Sequence, residues 1–256
     1  MESAFEPPTD VARSGASVAT TAPRPAAPFV LEAEGLTAGY GDLAAVRDAS
    51  LSVRQGEIVA LFGANGAGKS TTLKAVVGVL DRMAGDVRWR GRSSNDPVHR
   101  LAVQGVGYVP EERSIISGLT AGENLRIGQG SVERALGLFP EFEPLLGRSA
   151  GLLSGGQQQM LALARVLAAE PFAIVVDELS LGLAPLIVER LLAVLRRVAT
   201  EDGVGVLLVE QQAKRAMAVA DRWYLLANGR IAASGDRGHG VDALRAAFRS
   251  TMGRDA

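Results

Sequence analysis

Ile58-Val59-Ala60-Leu61-Phe62-Gly63-Ala64-Asn65-Gly66-Ala67-Gly68-Lys69-Ser70-Thr71 joins a continuous apolar run to a glycine loop that closes on lysine and serine. The run from Ile58 to Phe62 has no polar alternation, the pattern of a strand buried on both faces. Ser70 to Leu80 reads as a helix, so strand, loop and helix follow in the order a phosphate loop needs. Triphosphate oxygens require many donors held close together. Gly63, Gly66 and Gly68 let backbone N–H groups approach from a curled loop, and the helix start adds a positive dipole end. The loop from Gly63 through Ala64, Asn65, Gly66, Ala67 and Gly68 to Lys69, Ser70 and Thr71 is therefore read as a nucleotide cradle. Lys69 is expected to reach the β- and γ-phosphates and the Ser70 hydroxyl to ligate Mg²⁺. A tight turn with an incidental lysine is the plain alternative, and the position of the full pattern between strand and helix weighs against it.

Downstream, Ile174-Val175-Val176-Asp177-Glu178 is an apolar strand that delivers two carboxylates. Magnesium bridging phosphates takes hard oxygen ligands, and Asp177, at the strand's carboxyl end, is the expected metal-site acid, acting through water. Glu178, next in sequence, points elsewhere, as suits a group that orients or deprotonates the attacking water. A solvated acidic pair is the competing reading. Between the two strings, Leu153-Ser154-Gly155-Gly156-Gln157 opens a helical stretch from Gln158 to Ala169. Its hydroxyl and N–H groups either cap that helix or face an anion, and the residues alone favour the cap.

The remaining pattern predicts an α/β fold. Phe29 to Glu57 reads as strands, with apolar and polar residues alternating in Ala49-Ser50-Leu51-Ser52-Val53-Arg54, as a half-buried antiparallel layer requires. Gly85 to Gly91 and Val106 to Val109 add short strands, and Leu119 to Leu152 has the periodicity and prolines of a helical insertion. Phe172 to Val176 and Val204 to Val209, separated by amphipathic Leu186 to Val198, form a βαβ unit. Trp223 to Leu226, Asn228-Gly229 and Ile231 to Ala233 form a hairpin. The expected architecture is a P-loop NTPase core with a mixed or parallel sheet flanked by helices, an N-terminal antiparallel β layer and the helical insertion. A disordered tail or an overextended start over 1–28 precedes one nucleotide-binding domain over 29–256.

Bulk properties narrow the partners. The 256 residues carry a net charge of −1 and no cysteine, so nothing draws the chain generally to nucleic acid, and disulfides and thiolate metal sites are excluded. The longest apolar stretches fall far short of the roughly 20 residues that span a bilayer. The first 28 residues lack the basic start and apolar core of a signal peptide.

The three strings, in this order and spacing, resemble the ATP-binding subunits of ABC transporters from about Val30 to Gly235. The resemblance implies the ABC ATPase fold, a RecA-like core with a helical subdomain at about 112–165, with ATP and Mg²⁺ as ligands. In that family two ATPase domains sit head to tail, so Ser154, Gly155, Gly156 and Gln157 are expected to contact ATP bound by a partner. Tyr40, in Ala38-Gly39-Tyr40-Gly41, matches the aromatic that stacks on adenine, with a strand-end core ring as the alternative. Glu111, after Val109-Pro110, falls where most relatives have a glutamine that touches Mg²⁺ and links to the membrane subunit. Gln211, in Glu210-Gln211-Gln212, stands where most relatives have a histidine facing the γ-phosphate. A glutamine amide hydrogen-bonds phosphate or water but exchanges no proton near neutral pH, which leaves hydrolysis to Glu178. His99 and His239 lie in polar contexts and receive no role. Leu179 replaces a usual proline, and Ser180-Leu181-Gly182-Leu183-Ala184-Pro185 lacks the usual aspartate.

Together with Val109-Pro110-Glu111 and Val209-Glu210-Gln211, the motifs are similar to the smaller of the two ATPases of bacterial branched-chain amino acid importers, a branch that also serves urea and short-amide import. The resemblance implies a second ATPase subunit, two integral-membrane permease subunits and an extracytoplasmic substrate-binding protein. It implies no nucleic acid and a cytoplasmic position on the inner face of the membrane. The segment between Glu111 and Asn124 is expected to meet the permease, or else to be a plain surface loop. A soluble ABC ATPase acting on DNA or ribosomes is the rival, but the tandem domains, coiled coil or basic arm usual there are missing from this sequence. A small-molecule kinase would leave Ser154 to Gln157 unexplained.

Overall fold

Continuous apolar runs become strands covered on both sides, and three of them build the centre of the molecule. The computed structural model describes residues 27–210 and 212–252. Gln211 and all but the end of the expected tail over 1–28 lie outside these residues. In chain order the elements are β1 (Phe29–Tyr40), β2 (Leu43–Arg54), β3 (Ile58–Gly63), α1 (Lys69–Val76), β4 (Arg82–Trp89), β5 (Arg92–Ser93), α2 (Val98–Val103) and β6 (Val106–Val109). There follow α3 (Ala121–Ile127), α4 (Val132–Leu138), α5 (Gly155–Leu167), β7 (Ala173–Asp177), α6 (Pro185–Asp202), β8 (Gly205–Val209), α7 (Ala213–Val219), β9 (Arg222–Ala227), β10 (Arg230–Asp236) and α8 (Gly240–Met252).

The larger sheet has the order β10-β9-β3-β8-β7-β6. Its strands are parallel from β9 to β6, with β10 antiparallel at the edge. Side chains alternate between two cores, as a period of two demands. Ile58, Ala60 and Phe62 join one with Ile174, Val176, Val206 and Leu208, whereas Val59 and Leu61 join the other with Val175, Leu207 and Val209. The smaller sheet, β2-β1-β4-β5, is antiparallel and closes over the second core. Because the parallel strands share one polarity, the loops after β3, β7 and β8 all open at one edge, where ligands of open α/β sheets bind.

The insertion between β6 and β7 is helical. Pro140 and Pro144 remove backbone donors, and the chain takes 3₁₀ turns over Pro140–Leu145 and Ala150–Leu152 instead of α-helix. Phe139 and Phe142 anchor it edge to face, centroids 6.4 Å apart.

Some boundaries differ from expectation. α1 stops at Val76 because Gly78 turns left-handed (φ 68°) and Val79 N–H bonds Lys74 O at 2.8 Å, a Schellman-type closure. α5 begins at Gly155, three residues before the expected start. The Asn228-Gly229 turn has both residues at positive φ, 49° and 75°, as a type I′ hairpin requires. Among the described residues no helix is long and apolar enough to cross a membrane.

Candidate nucleotide site

β3 runs into the glycine loop and α1 starts at Lys69, with Gly68 at the N-cap in a left-handed conformation (φ 103°) that other residues rarely adopt. Gly63 lies against β9, and a Cβ there would stand 2.6 Å from Leu226 O. Gly63→Ala is therefore expected to push the loop off β9 and cost about 1–3 kcal/mol as an overpacking substitution. A thermal melt reads this as a drop of several degrees, and an unchanged melting temperature would contradict it.

Lys69 is buried, 5% exposed, and its ammonium curls back to donate to Gly63 O at 3.0 Å and Ala64 O at 3.1 Å. It makes no ion pair among the described residues. A lysine has three N–H donors, so one remains for an anion in the loop, and the buried positive charge has no protein counter-charge at bonding distance. Ala64, Asn65 and Gly66 are exposed at the loop crest. Thr71 and Thr72 are buried beneath it, and the Thr72 hydroxyl donates to Gly68 O at 2.9 Å.

The loop after β3 meets the end of β7 through the hydrogen bond from Ser70 Oγ to Asp177 Oδ1 at 3.3 Å. Asp177 is buried, and desolvation holds its carboxyl above the usual range. The Ser70 hydrogen bond opposes this, while the charges of Glu178 and Glu111 push it further up. A hard cation would relieve that carboxylate. The described residues hold no group of three or more His, Cys, Asp or Glu able to bind a metal alone. A hydroxyl with one carboxylate suits Mg²⁺, which keeps waters and takes the rest of its shell from phosphate, so the donor set fits.

Glu178 is half-buried with φ 46°, and its N–H donates to Val209 O at 3.0 Å. Glu111 is exposed on the loop after β6. Tyr40 ends β1 and is 57% exposed, which rules out the core-ring alternative. The neighbouring Tyr108, which sequence reasoning passed over, is half-buried on β6. Burial raises its phenol, as do the nearby Asp177 and Tyr40 in turn, so it stays neutral beside the carboxylates.

Ser154 forms a complete capping box: its Oγ accepts Gln157 N–H at 3.3 Å, and Gln157 Oε1 accepts Ser154 N–H at 2.9 Å. The helix-cap reading of this string is therefore met. Leu153 is buried, yet Ser154 is exposed and Gly155, Gly156 and Gln157 reach the surface in part. The cap uses hydroxyl lone pairs and so leaves the Ser154 O–H, while the N–H groups of Gly155 and Gly156, in the first turn of the helix, have no intrahelical acceptor.

Known proteins match this arrangement. A family model described as ABC transporter fits residues 46–180. The chain is 41% identical over 202 residues, 75% of its length and 86% of the relative's, to the high-affinity branched-chain amino acid transport ATP-binding protein BraG of Pseudomonas aeruginosa. It is 35% identical over 217 residues, covering 80% of this chain and 90% of the relative, to the lipopolysaccharide export system ATP-binding protein LptB of Escherichia coli. Among solved structures, a dimeric ATP-binding cassette in a post-hydrolysis state with ADP and Pi superposes with TM-score 0.71 at 27% identity, over 81% of this chain and 98% of that one. With the matching model over more than half its length and these relatives over most of it, the chain belongs to the ATP-binding subunits of ABC transporters and is an ATPase.

Proposed function

We propose that the chain powers import of branched-chain amino acids as one of two ATPase domains that close on ATP and Mg²⁺. The cargo rests on one observation, the 41% identity to a protein named for branched-chain amino acid transport. In this reading residues 29–256 are one nucleotide-binding domain with a helical subdomain at about 112–165, held at the cytoplasmic face of the membrane by permease subunits.

Each residue has a task. The loop Gly63 to Thr71 wraps the phosphates, Lys69 donates its remaining N–H, and Tyr40 offers an exposed ring to adenine. Ser70, Asp177 through water, and Glu111 hold Mg²⁺, which when bound neutralises charge on the phosphates. Glu178 orients or deprotonates water, and Gln211 offers an amide to phosphate. Ser154, Gly155, Gly156 and Gln157 cap the nucleotide of the partner domain. Leu152, two residues before Ser154, and Leu181 and Leu186, after β7, are exposed, and that pairing would cover them. For the permease, an apolar groove lined by Val79, Val98, Tyr108, Pro110, Ile127 and Val166 opens beside the Glu111 loop. Asn124 fastens that loop from below by accepting Ile116 N–H and donating to Ile116 O. The extracytoplasmic binding protein acts only through the permeases.

Uptake of labelled leucine, isoleucine and valine by cells lacking this subunit is expected to fall to background while urea uptake persists. The reverse pattern assigns the chain to a urea or short-amide importer.

A further inference from the structure

Glu210 follows β8 directly and is 1% exposed, yet none of the roles above uses it. A buried carboxylate is costly unless hydrogen bonds meet it. Ser180 Oγ–H donates to its Oε1 at 2.5 Å and Gln212 N–H donates to the same oxygen at 3.2 Å. Ser180 lies two residues after Glu178, and Gln212 one residue after position 211. The carboxyl ends of β7 and β8 are thus joined by the backbone bond from Glu178 N–H to Val209 O and by the side-chain bond from Ser180 to Glu210. Between the two ties Leu179 is buried in the core, 1% exposed. Glu178 itself has φ 46°, a conformation that a non-glycine residue keeps only where its surroundings over-determine it.

We propose that Glu210 is a positioning residue for hydrolysis: by gripping Ser180 and the Gln212 N–H it locks the loop of Glu178 to the carboxyl end of β8 and so fixes where the Glu178 carboxylate meets water. The inference rests on the reading of Glu178 as the water-orienting group. Neither Glu210 nor Ser180 belongs to the phosphate loop, so loss of their bond acts on turnover and spares nucleotide affinity. Because both donors converge on one oxygen, an amide oxygen in the same place accepts both, and Glu210→Gln separates the hydrogen bonds from the charge.

The test measures kcat, KM and affinity for a fluorescent non-hydrolysable ATP analogue in the assembled transporter, with the folded fraction checked by thermal melt. Glu210→Ala is expected to lower kcat about 10-fold or more, with analogue affinity within about three-fold of the native protein, since small misplacements of catalytic groups cost this much. Ser180→Ala is expected to lower kcat in the same sense, and the double variant to be no slower than Glu210→Ala alone, because the pair acts as one unit. Glu210→Gln is expected to recover most of the lost rate. A merely structural role would lower the melting temperature and leave kcat per folded site unchanged, and that result overturns the proposal. So does a Glu210→Gln protein as slow as Glu210→Ala, or a tenfold loss of analogue affinity. Glu178→Gln measured alongside keeps the two ideas apart: native turnover there removes the reading of Glu178, whereas failure in the Glu210 series with Glu178→Gln inactive removes only the role of Glu210.

Discussion

Lys69→Ala is expected to abolish measurable ATP turnover and to weaken ATP binding by at least about 30-fold, since truncating one side of a buried, hydrogen-bonded charge pair costs about 2–5 kcal/mol. The ammonium is buried within the loop, spends two donors on Gly63 O and Ala64 O, and has no carboxylate at bonding distance among the described residues. Triphosphate supplies the missing negative charge. Alanine removes the cation and also the clasp that draws the Gly63 and Ala64 carbonyls inward, so the N–H groups on the same peptides lose their alignment. Folding is expected to survive, because the free protein then loses a buried unpaired charge along with the clasp. Equilibrium dialysis with labelled ATP checks the prediction, and binding within threefold of the native protein would show that the loop N–H groups alone hold the nucleotide.

The parts of this arrangement written locally were legible in the sequence. The strand before the glycine loop was readable because both of its faces are covered, which leaves no polar residue between Ile58 and Phe62. The hairpin at Asn228-Gly229 was readable because its turn needs positive φ at both positions. The end of α1 was misjudged because Gly78, not the apolar pattern, stops it. α8 was weakly written because its apolar spacing, Val241, Leu244 and Phe248, buries only Leu244 fully and packs the other two partly against the core. α2 and α7 are too short for periodicity to register. At the site, the phosphate loop and the two acids follow from strings of adjacent residues. The Ser70–Asp177 and Ser180–Glu210 bonds join residues 107 and 30 apart, and no local pattern encodes such pairings. Tyr108 was hidden for the same reason, since only the β6–β7 register sets it opposite Val175, two residues before Asp177. The signature turn was ambiguous because capping box and anion site use the same residue types, and Ser154 forms the cap while keeping its hydroxyl at the surface.

Glu178→Gln is expected to bind ATP as well as the native protein while lowering kcat by about 100-fold or more, the scale of a lost general base. The substitution is isosteric, so the backbone at φ 46° and the N–H bond to Val209 O persist, and so does the fold of the loop held by Ser180. What disappears is one negative charge and the acceptor of a water proton. Losing the charge does not weaken binding of a polyanion beside Asp177 and Glu111, so affinity has no reason to fall. Because ATP is consumed only through this step, the closed pair of ATPase domains accumulates, and gel filtration with ATP is expected to move the variant toward a dimer while Lys69→Ala stays monomeric under the same conditions. The contrast separates the two halves of the site: one variant cannot take the nucleotide in, the other cannot let it go. If Glu178→Gln hydrolysed ATP at the native rate, the proton would have to leave through another group near Ser70, and Asp177, whose carboxyl burial already holds above its usual range, is the one the geometry offers.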